Sequence, residues 1–138
     1  MSDMNEWNQK VIAEFRANDG KVGGDLAGLP LVLVHHVGAK TGAARINPLA
    51  YQDLGDSVAV FASKGGAPTN PDWYYNLVAN PKITVEFGTG TRPATARVAT
   101  GEERERIWGA QKEKFPNFAE YEGSAAPRQI PVVVLDLG

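Results

Sequence analysis

Lys40 and Arg45 stand around the turn Gly38-Ala39-Lys40-Thr41-Gly42, and Lys64 precedes Gly65 and Gly66 in a second turn. Two glycine-bounded loops therefore offer cations together with main-chain N–H donors. Lysine and arginine in such a setting grip phosphate or carboxylate oxygens through charge-assisted hydrogen bonds. The second loop runs into a helix start at Asn70-Pro71-Asp72, whose unpaired N–H groups and dipole add affinity for negative charge. Glycines there let the backbone close on a ligand where a Cβ would stand in the way. Trp73, Tyr74 and Tyr75 open that helix; consecutive helical residues point in different directions, so one or two enter the core and another is left to cover a ring. Together these residues describe a site for a planar, anionic molecule. Taken separately, each loop reads equally well as a solvated turn, with Asn70 as N-cap and Pro71 at the first helical position. A third group, Phe115, Phe118 and Tyr121, repeats at three-residue spacing. It is either the wall of a pocket for a planar substrate or a core-facing stripe, and Tyr121 has a hydroxyl able to orient or protonate a substrate.

Other chemistries are closed off by residue type or spacing. The absence of cysteine excludes disulfides, thiolate metal sites and a cysteine nucleophile. His35 and His36 are neighbours on an expected strand, so their rings project to opposite faces and cannot easily share a metal; both read as structural, and no metal site is expected. Ser63 lacks the Gly-x-Ser-x-Gly setting of a hydrolase nucleophile. Asp72 and Glu86 fit a helix N-terminus and a solvated strand face. Neither a dinucleotide fingerprint at a strand-to-helix junction nor a Walker loop is present. So little acid–base equipment points to a cofactor that brings its own reactivity. A net charge of −2 over 138 residues gives no nucleic-acid footprint. No apolar run is long enough to span a bilayer, and residues 1–16 lack the layout of a signal peptide. A cytoplasmic protein with no nucleic-acid partner and no integral membrane segment is expected.

The elements that must position these residues follow from periodicity. With 43% hydrophobic and 22% charged residues, the chain is expected to form a single domain over 1–138, of which 1–28 is an N-terminal helix and lead-in. Met4, Trp7, Val11, Ile12 and Phe15 recur at helical spacing, with Asp3 and Glu6 as a capping pair and Gly20 as the stop. Strands are expected at 29–37, 45–54, 57–62, 82–87, 91–99 and 130–137, joined mostly as hairpins. Pro48 interrupts the second of them, which implies an edge or bulge where main-chain groups are released. A helix over 72–79 is stopped by Asn80-Pro81, and Thr100 with Glu103 sets a capping box before a helix running to about Phe115. After Pro116, a short turn carries Phe118 and Tyr121. Consecutive hairpins favour antiparallel pairing, so the expected fold is α+β and mainly β: a small, closed, six-stranded antiparallel barrel with about three flanking helices.

The segments Gly-Ala-Lys-Thr-Gly-Ala-Ala-Arg-Ile-Asn-Pro-Leu at 38–49, Ala-Ser-Lys-Gly-Gly-Ala-Pro-Thr-Asn-Pro-Asp-Trp-Tyr-Tyr-Asn-Leu at 62–77, Ala-Asn-Pro at 79–81 and Arg-Gln-Ile-Pro-Val at 128–132 resemble the deazaflavin-dependent nitroreductase family of actinobacterial oxidoreductases. The likeness runs from Leu29 to the end of the chain. It implies a split β-barrel and reduced coenzyme F420, an 8-hydroxy-5-deazaflavin with a phosphate and an oligoglutamate tail. Carried over residue by residue, it puts Lys40, Arg45 and Lys64 at the phosphate and tail, beside the backbone of Ala62, Ser63, Gly65 and Gly66. Asn47, Pro48 and Leu49 run along the deazaflavin ring, and Asn70, Pro71, Trp73 and Tyr74 complete the cleft. Phe115, Phe118 and Tyr121 face the substrate.

The implied reaction is hydride transfer from the reduced deazaflavin to an electron-poor small molecule such as a quinone, an enone or a nitro compound. Tyr121, Ser63 or solvent supplies the proton. Some family members carry tyrosines at the first two substrate positions, where this chain has Phe115 and Phe118, so reduction of nitro compounds does not follow from the resemblance. Two alternatives stay open. One is FMN in a related barrel, which needs less positive charge than a polyglutamate tail; the other is a noncatalytic carrier of a flavin-like ligand. The assembly is a monomer or a homodimer.

Overall fold

The structure, a computed structural model, describes residues 2–18, 30–63, 66, 69–88 and 90–137, with side chains from residue 9 onward. Six strands, β1 (Leu31–Val37), β2 (Ala44–Asp53), β3 (Ser57–Phe61), β4 (Lys82–Phe87), β5 (Gly90–Val98) and β6 (Val132–Leu137), pair antiparallel in the order β1-β2-β3-β6-β5-β4. β4 returns to β1, with Val34 opposite Val85, and closes the barrel.

Alternation along the strands separates an inner from an outer core. Val32, Val34, Val58, Val60, Val85, Val133 and Leu135 fill the interior. One end is stopped by Trp73 and Leu77 of α2 (Asp72–Ala79), both buried in the same cluster. On the outer face of β3 and β6, Ala59, Phe61, Val132 and Val134 are covered by Ile107 and Trp108 of α3 (Gly101–Lys114) and by Phe118 and Ala125 of α4 (Asn117–Ala125). Leu31 and Leu33, on the outer face of β1, lie under Val11 and Phe15 of α1 (Ser2–Ala17). Strands buried on both faces have no solvent side to encode, which is why β1, β3 and β6 read as nearly unbroken apolar runs. Arg16 anchors α1 by two 2.9 Å hydrogen bonds to Glu86, which also meets His35 at 3.0 Å.

Four expectations are corrected. The short turn after Pro116 is a nine-residue helix, α4; Gly123 and Ser124 weaken its local signal, and burial of Phe118 and Ala125 supplies what propensity lacks. The capping box at α3 does not form: Thr100 makes no side-chain cap, and Glu103 turns to Arg97 at 2.6 and 3.0 Å. The N-cap of α2 is Pro71, not Asn70, whose side chain is taken by Arg128. Glu86 is a half-buried ion-pair partner, not a solvated strand residue. The side chains of Asp3, Met4, Glu6 and Trp7, and the whole of Gly20, lie outside the described residues.

Because Trp73 stops the barrel, Trp73→Ala leaves a hole that rigid strands cannot close. It is expected to lower unfolding free energy by about 3–5 kcal/mol in denaturant titration, and Tyr75→Ala, at an exposed position of the same helix, by well under 1 kcal/mol, on the order expected of a surface site.

Candidate active site

β1 and β3 both run antiparallel to β2, so the turn 38–43 after β1 and the segment 62–71 after β3 leave the barrel at the same end. The barrel is split there. β2 pairs with β1 along 44–50 but with β3 only from Tyr51, opposite Val60, to Asp53. Phe61 pairs instead with Val132 on its other side. Residues 44–50 of β2 thus have an edge that pairs with no strand among the described residues. The Tyr51 N–H donates toward β1, to the Pro30 carbonyl at 3.1 Å, so odd-numbered residues direct their main-chain groups to β1 and Ile46, Pro48 and Ala50 direct theirs to the open edge. Proline therefore sits where its missing N–H breaks no ladder. Among the described residues, the neighbouring carbonyls and the N–H groups of Ile46 and Ala50 have no strand partner.

Across the split, the loop after β3 is held by one arginine. Arg128 Nη1 donates to the Ala62 carbonyl at 3.0 Å and to Asn70 Oδ1 at 2.6 Å, and Nη2 donates to the Ser63 carbonyl at 2.9 Å. Both ends of the loop are pinned to the turn that leads from α4 into β6. Between them Gly66, buried and at φ +84, presses on α4: a Cβ there would stand 2.9 Å from Ser124 Cβ and 3.2 Å from Tyr121 Cα. This glycine is needed for helix contact as well as for its backbone conformation. It places the loop directly against the helix carrying Tyr121. The Tyr121 hydroxyl accepts from Asn117 Nδ2 at 3.2 Å, leaving its own proton free to donate, and its ring packs edge-on against Phe118 at 5.4 Å. α4 is tied to α3 through Glu122, which accepts from Trp108 Nε1 at 2.5 Å and from Lys112 at 3.0 Å. The indole N–H, then Lys112, hold the Glu122 carboxyl below the usual carboxylate range.

Lys40 and Arg45 are exposed at the mouth and form no ion pair among the described residues, whereas Arg16, Arg97, Arg104 and Lys112 are all engaged. Ser63, Asn70, Tyr74, Phe115 and Tyr121 are half-buried around the same end. Several sequence expectations change. Trp73 lies in the barrel interior, not beside the cleft, and Phe118 is buried between Phe61 and Trp108, so it supports Tyr121 from behind. Pro71 is buried as well. The Ala62 backbone is already committed, its N–H to Pro131 and its carbonyl to Arg128. Asn47 and Leu49 face inward, away from Pro48; Leu49 packs on the inner core, and Asn47 Oδ1 meets His36 Nε2 at 2.7 Å. Lys64 and Gly65 lie outside the described residues. The roles of Arg128 and Asn76 leave no signal in residue spacing, because their partners stand tens of residues away. A groove of about 210 Å³ between α2 and β5 is lined by Leu77, Val78, Pro81, Ala96, Arg97, Val98 and Val133, none of them among these residues.

The sequence profile of the F420H(2)-dependent quinone reductase family matches residues 7–136. The chain belongs to that family. An F420H(2)-dependent quinone reductase of Mycobacterium tuberculosis is 37% identical over 127 residues, covering 89% of this chain and 85% of its own. A putative F420H(2)-dependent quinone reductase of Mycobacterium bovis matches equally well. Among solved structures, an F420-H2 dependent reductase superposes with a TM-score of 0.70 at 42% identity, over 77% of this chain and 93% of its own. A chain described as a domain-swapped dimer gives 0.71 at 38% identity over 97% and 98%. The haem storage protein HutZ of Vibrio cholerae, at 14% identity and a TM-score of 0.59 over 95% of this chain and 90% of its own, shares the fold alone. Membership of the quinone reductase family agrees with the split barrel and with the motifs at 38–49, 62–77 and 128–132.

Two outcomes are expected. Arg128→Ala frees the 62–70 loop, lowering its local opening free energy by about 1.5–3 kcal/mol in amide hydrogen exchange, with the β1 and β6 amides little changed. Stability should also fall in two acid steps. Burial, foremost, holds the His36 pKa below its ordinary 6.5, so the unfolded chain takes up a proton the folded one refuses; stability is level above that pH and declines below it. Glu86, held down chiefly by Arg16, contributes stability above its ordinary 4.5 and loses it as the pH drops further. Denaturant titrations from about pH 2 to about pH 8 check both, and His36→Gln should remove the upper step alone.

Proposed function

We propose that this chain is an F420H2-dependent reductase that delivers hydride to an electron-poor acceptor, a quinone foremost. The observation that carries the reading is the split itself: a proline-bearing edge of β2, without a strand partner among the described residues, faces a clamped loop, and two cations at the same mouth form no ion pair among those residues. The donor set fits the cofactor. Lys40 and Arg45 offer positive charge for a phosphate and carboxylate tail, with Lys64 as the third cation. The free edge of β2 and the inward-facing Asn47 and Leu49 suit the polar rim and flat face of a ring, and Ser63, Gly66 and Asn70 bound the opposite side. Tyr74 closes the end of the cleft. When bound, the reduced deazaflavin supplies the hydride from C5.

The protein's own work is positioning, exclusion of water and proton supply. Phe115 and Tyr121 shield the acceptor, and Tyr121, whose oxygen already accepts from Asn117, donates its proton to the acceptor oxygen; Ser63 is the nearby alternative donor. Phe115 and Phe118 leave Tyr121 as the single hydroxyl of the substrate set, which favours quinones over substrates that need more hydrogen bonds. No helix among the described residues is long and apolar enough to cross a membrane, and we place the reaction in the cytoplasm. A homodimer is the favoured assembly, in keeping with the relative described as a domain-swapped dimer.

Fluorescence titration with oxidised F420 and with FMN, followed by oxidation of F420H2 with quinone, enone and nitro acceptors, tests the reading. F420 binding with quinone turnover supports it; binding without turnover leaves a carrier, and preference for FMN rejects it. Lys40→Ala and Arg45→Ala are each expected to weaken F420 binding by about 1–3 kcal/mol, more at low salt than at high. Tyr121→Phe is expected to lower kcat by about a hundredfold with cofactor affinity unchanged; an unaltered kcat assigns the proton to Ser63 or solvent.

A further inference from the structure

Inside the mouth, polar groups from three elements form one chain of hydrogen bonds whose direction is set by a backbone N–H. Ala39, in the turn that carries Lys40, donates its N–H to Asn76 Oδ1 at 2.8 Å. The Asn76 NH2 must then face His36, and it donates to Nδ1 at 3.2 Å. Nδ1 is thereby an acceptor, so the proton of the neutral imidazole sits on Nε2, which donates to Asn47 Oδ1 at 2.7 Å. His36 is 2% and Asn76 6% exposed, so a reversal at either would leave a donor facing a donor out of reach of water. With its oxygen committed to His36, Asn47 keeps its NH2 as the free end of the amide, on the strand whose edge is open.

We propose that His36, backed by Asn76, is a positioning residue of the cofactor cleft: it fixes the Asn47 amide so that its NH2 is offered to a carbonyl of the planar ligand, and it ties that donor to the turn bearing Lys40. The inference rests on the F420 reading above. It makes the site selective for an acceptor at this place on the ring, because a ligand presenting N–H there meets a second donor. The charged groups around the relay do not favour an imidazolium. Arg45 stands directly across the ladder from His36, His35 lies on the opposite face beside Glu86, Lys82 is at the exposed start of β4 and Asp72 at the exposed first turn of α2. Protonation would place a hydrogen on Nδ1 against the Asn76 NH2 and break the chain at its centre.

The test combines long-range nitrogen NMR of the histidine rings in the free protein with fluorescence titration of oxidised F420. The wild type is expected to show a neutral His36 ring protonated on Nε2 at neutral pH. His36→Gln, which can accept from Asn76 and donate to Asn47, should bind F420 within about threefold of wild type; His36→Leu, which can do neither, should bind about tenfold more weakly. Asn47→Asp should bind about as weakly as His36→Leu while leaving the His36 tautomer unchanged, and this pair of measurements stands even if the leucine variant does not fold. A ring protonated on Nδ1, equal binding by Asn47→Asp and wild type, or a glutamine variant as weak as the leucine variant overturns the proposal. Failure of the wild type to bind F420 overturns the functional reading with it, whereas normal wild-type binding with indifferent variants overturns this inference alone.

Discussion

Beyond the pair Tyr51–Val60 the ladder between β2 and β3 stops, and the site depends on that parting. A fully zipped barrel would consume the main-chain groups of Ile46, Pro48 and Ala50 and bring the 62–70 loop against β2. Instead β3 leaves with β6, Phe61 opposite Val132, while β2 stays with β1. The outer faces of β3 and β6 carry Phe61, Val132 and Val134 into a cluster with Trp108 and Phe118. Burial of that aromatic surface draws β3 to the helices' side, and a proline on β2 denies it a donor in the direction it would need.

A parted sheet exposes polar backbone, which costs free energy unless each side is held by something else. The structure meets this requirement with one arginine. Arg128 gathers the Ala62 and Ser63 carbonyls and the Asn70 amide, and the buried Gly66 lets the loop rest on α4. On the opposite side, the turn after β1 is fastened through Ala39 to Asn76 and His36. Both walls are thus braced from behind by neutral or cationic groups, and Lys40 and Arg45 at the mouth form no ion pair among the described residues. Conserving free positive charge at one mouth of a chain with net charge −2 requires this separation of roles among its basic residues.

The distribution of acid–base groups fits a cofactor that carries its own redox chemistry. Glu86 and Glu122 are used to pin α1 and α4, and the two histidines serve Glu86 and Asn47. What remains at the mouth among the described residues is the hydroxyls of Ser63, Tyr74 and Tyr121, amides, backbone and two cations, which can bind, orient and protonate. Family membership and geometry therefore converge on a reductase whose catalytic contribution is placement.

The sequence by itself determined the strands to within one or two residues at nearly every end, the glycine-bounded turn after β1, the edge position of Pro48 and the family, since each rests on local signals: alternation, turn chemistry and contiguous motifs. It did not determine α4 as a helix, because Gly123 and Ser124 argue against one until Phe118 and Ala125 find their core. Nor did it tell Trp73 and Phe118, which are buried, from Tyr74 and Tyr121, which stand at the mouth; an aromatic residue's type is the same on either side of a helix. Asn70 and Glu103 sat at capping positions and yet were claimed by Arg128 and Arg97, and the relay from Ala39 to Asn47 runs through residues up to 40 positions apart. Such partnerships are decided by which elements the closed sheet brings side by side, and a hydrogen bond between distant residues leaves no period in the chain for a reader to detect.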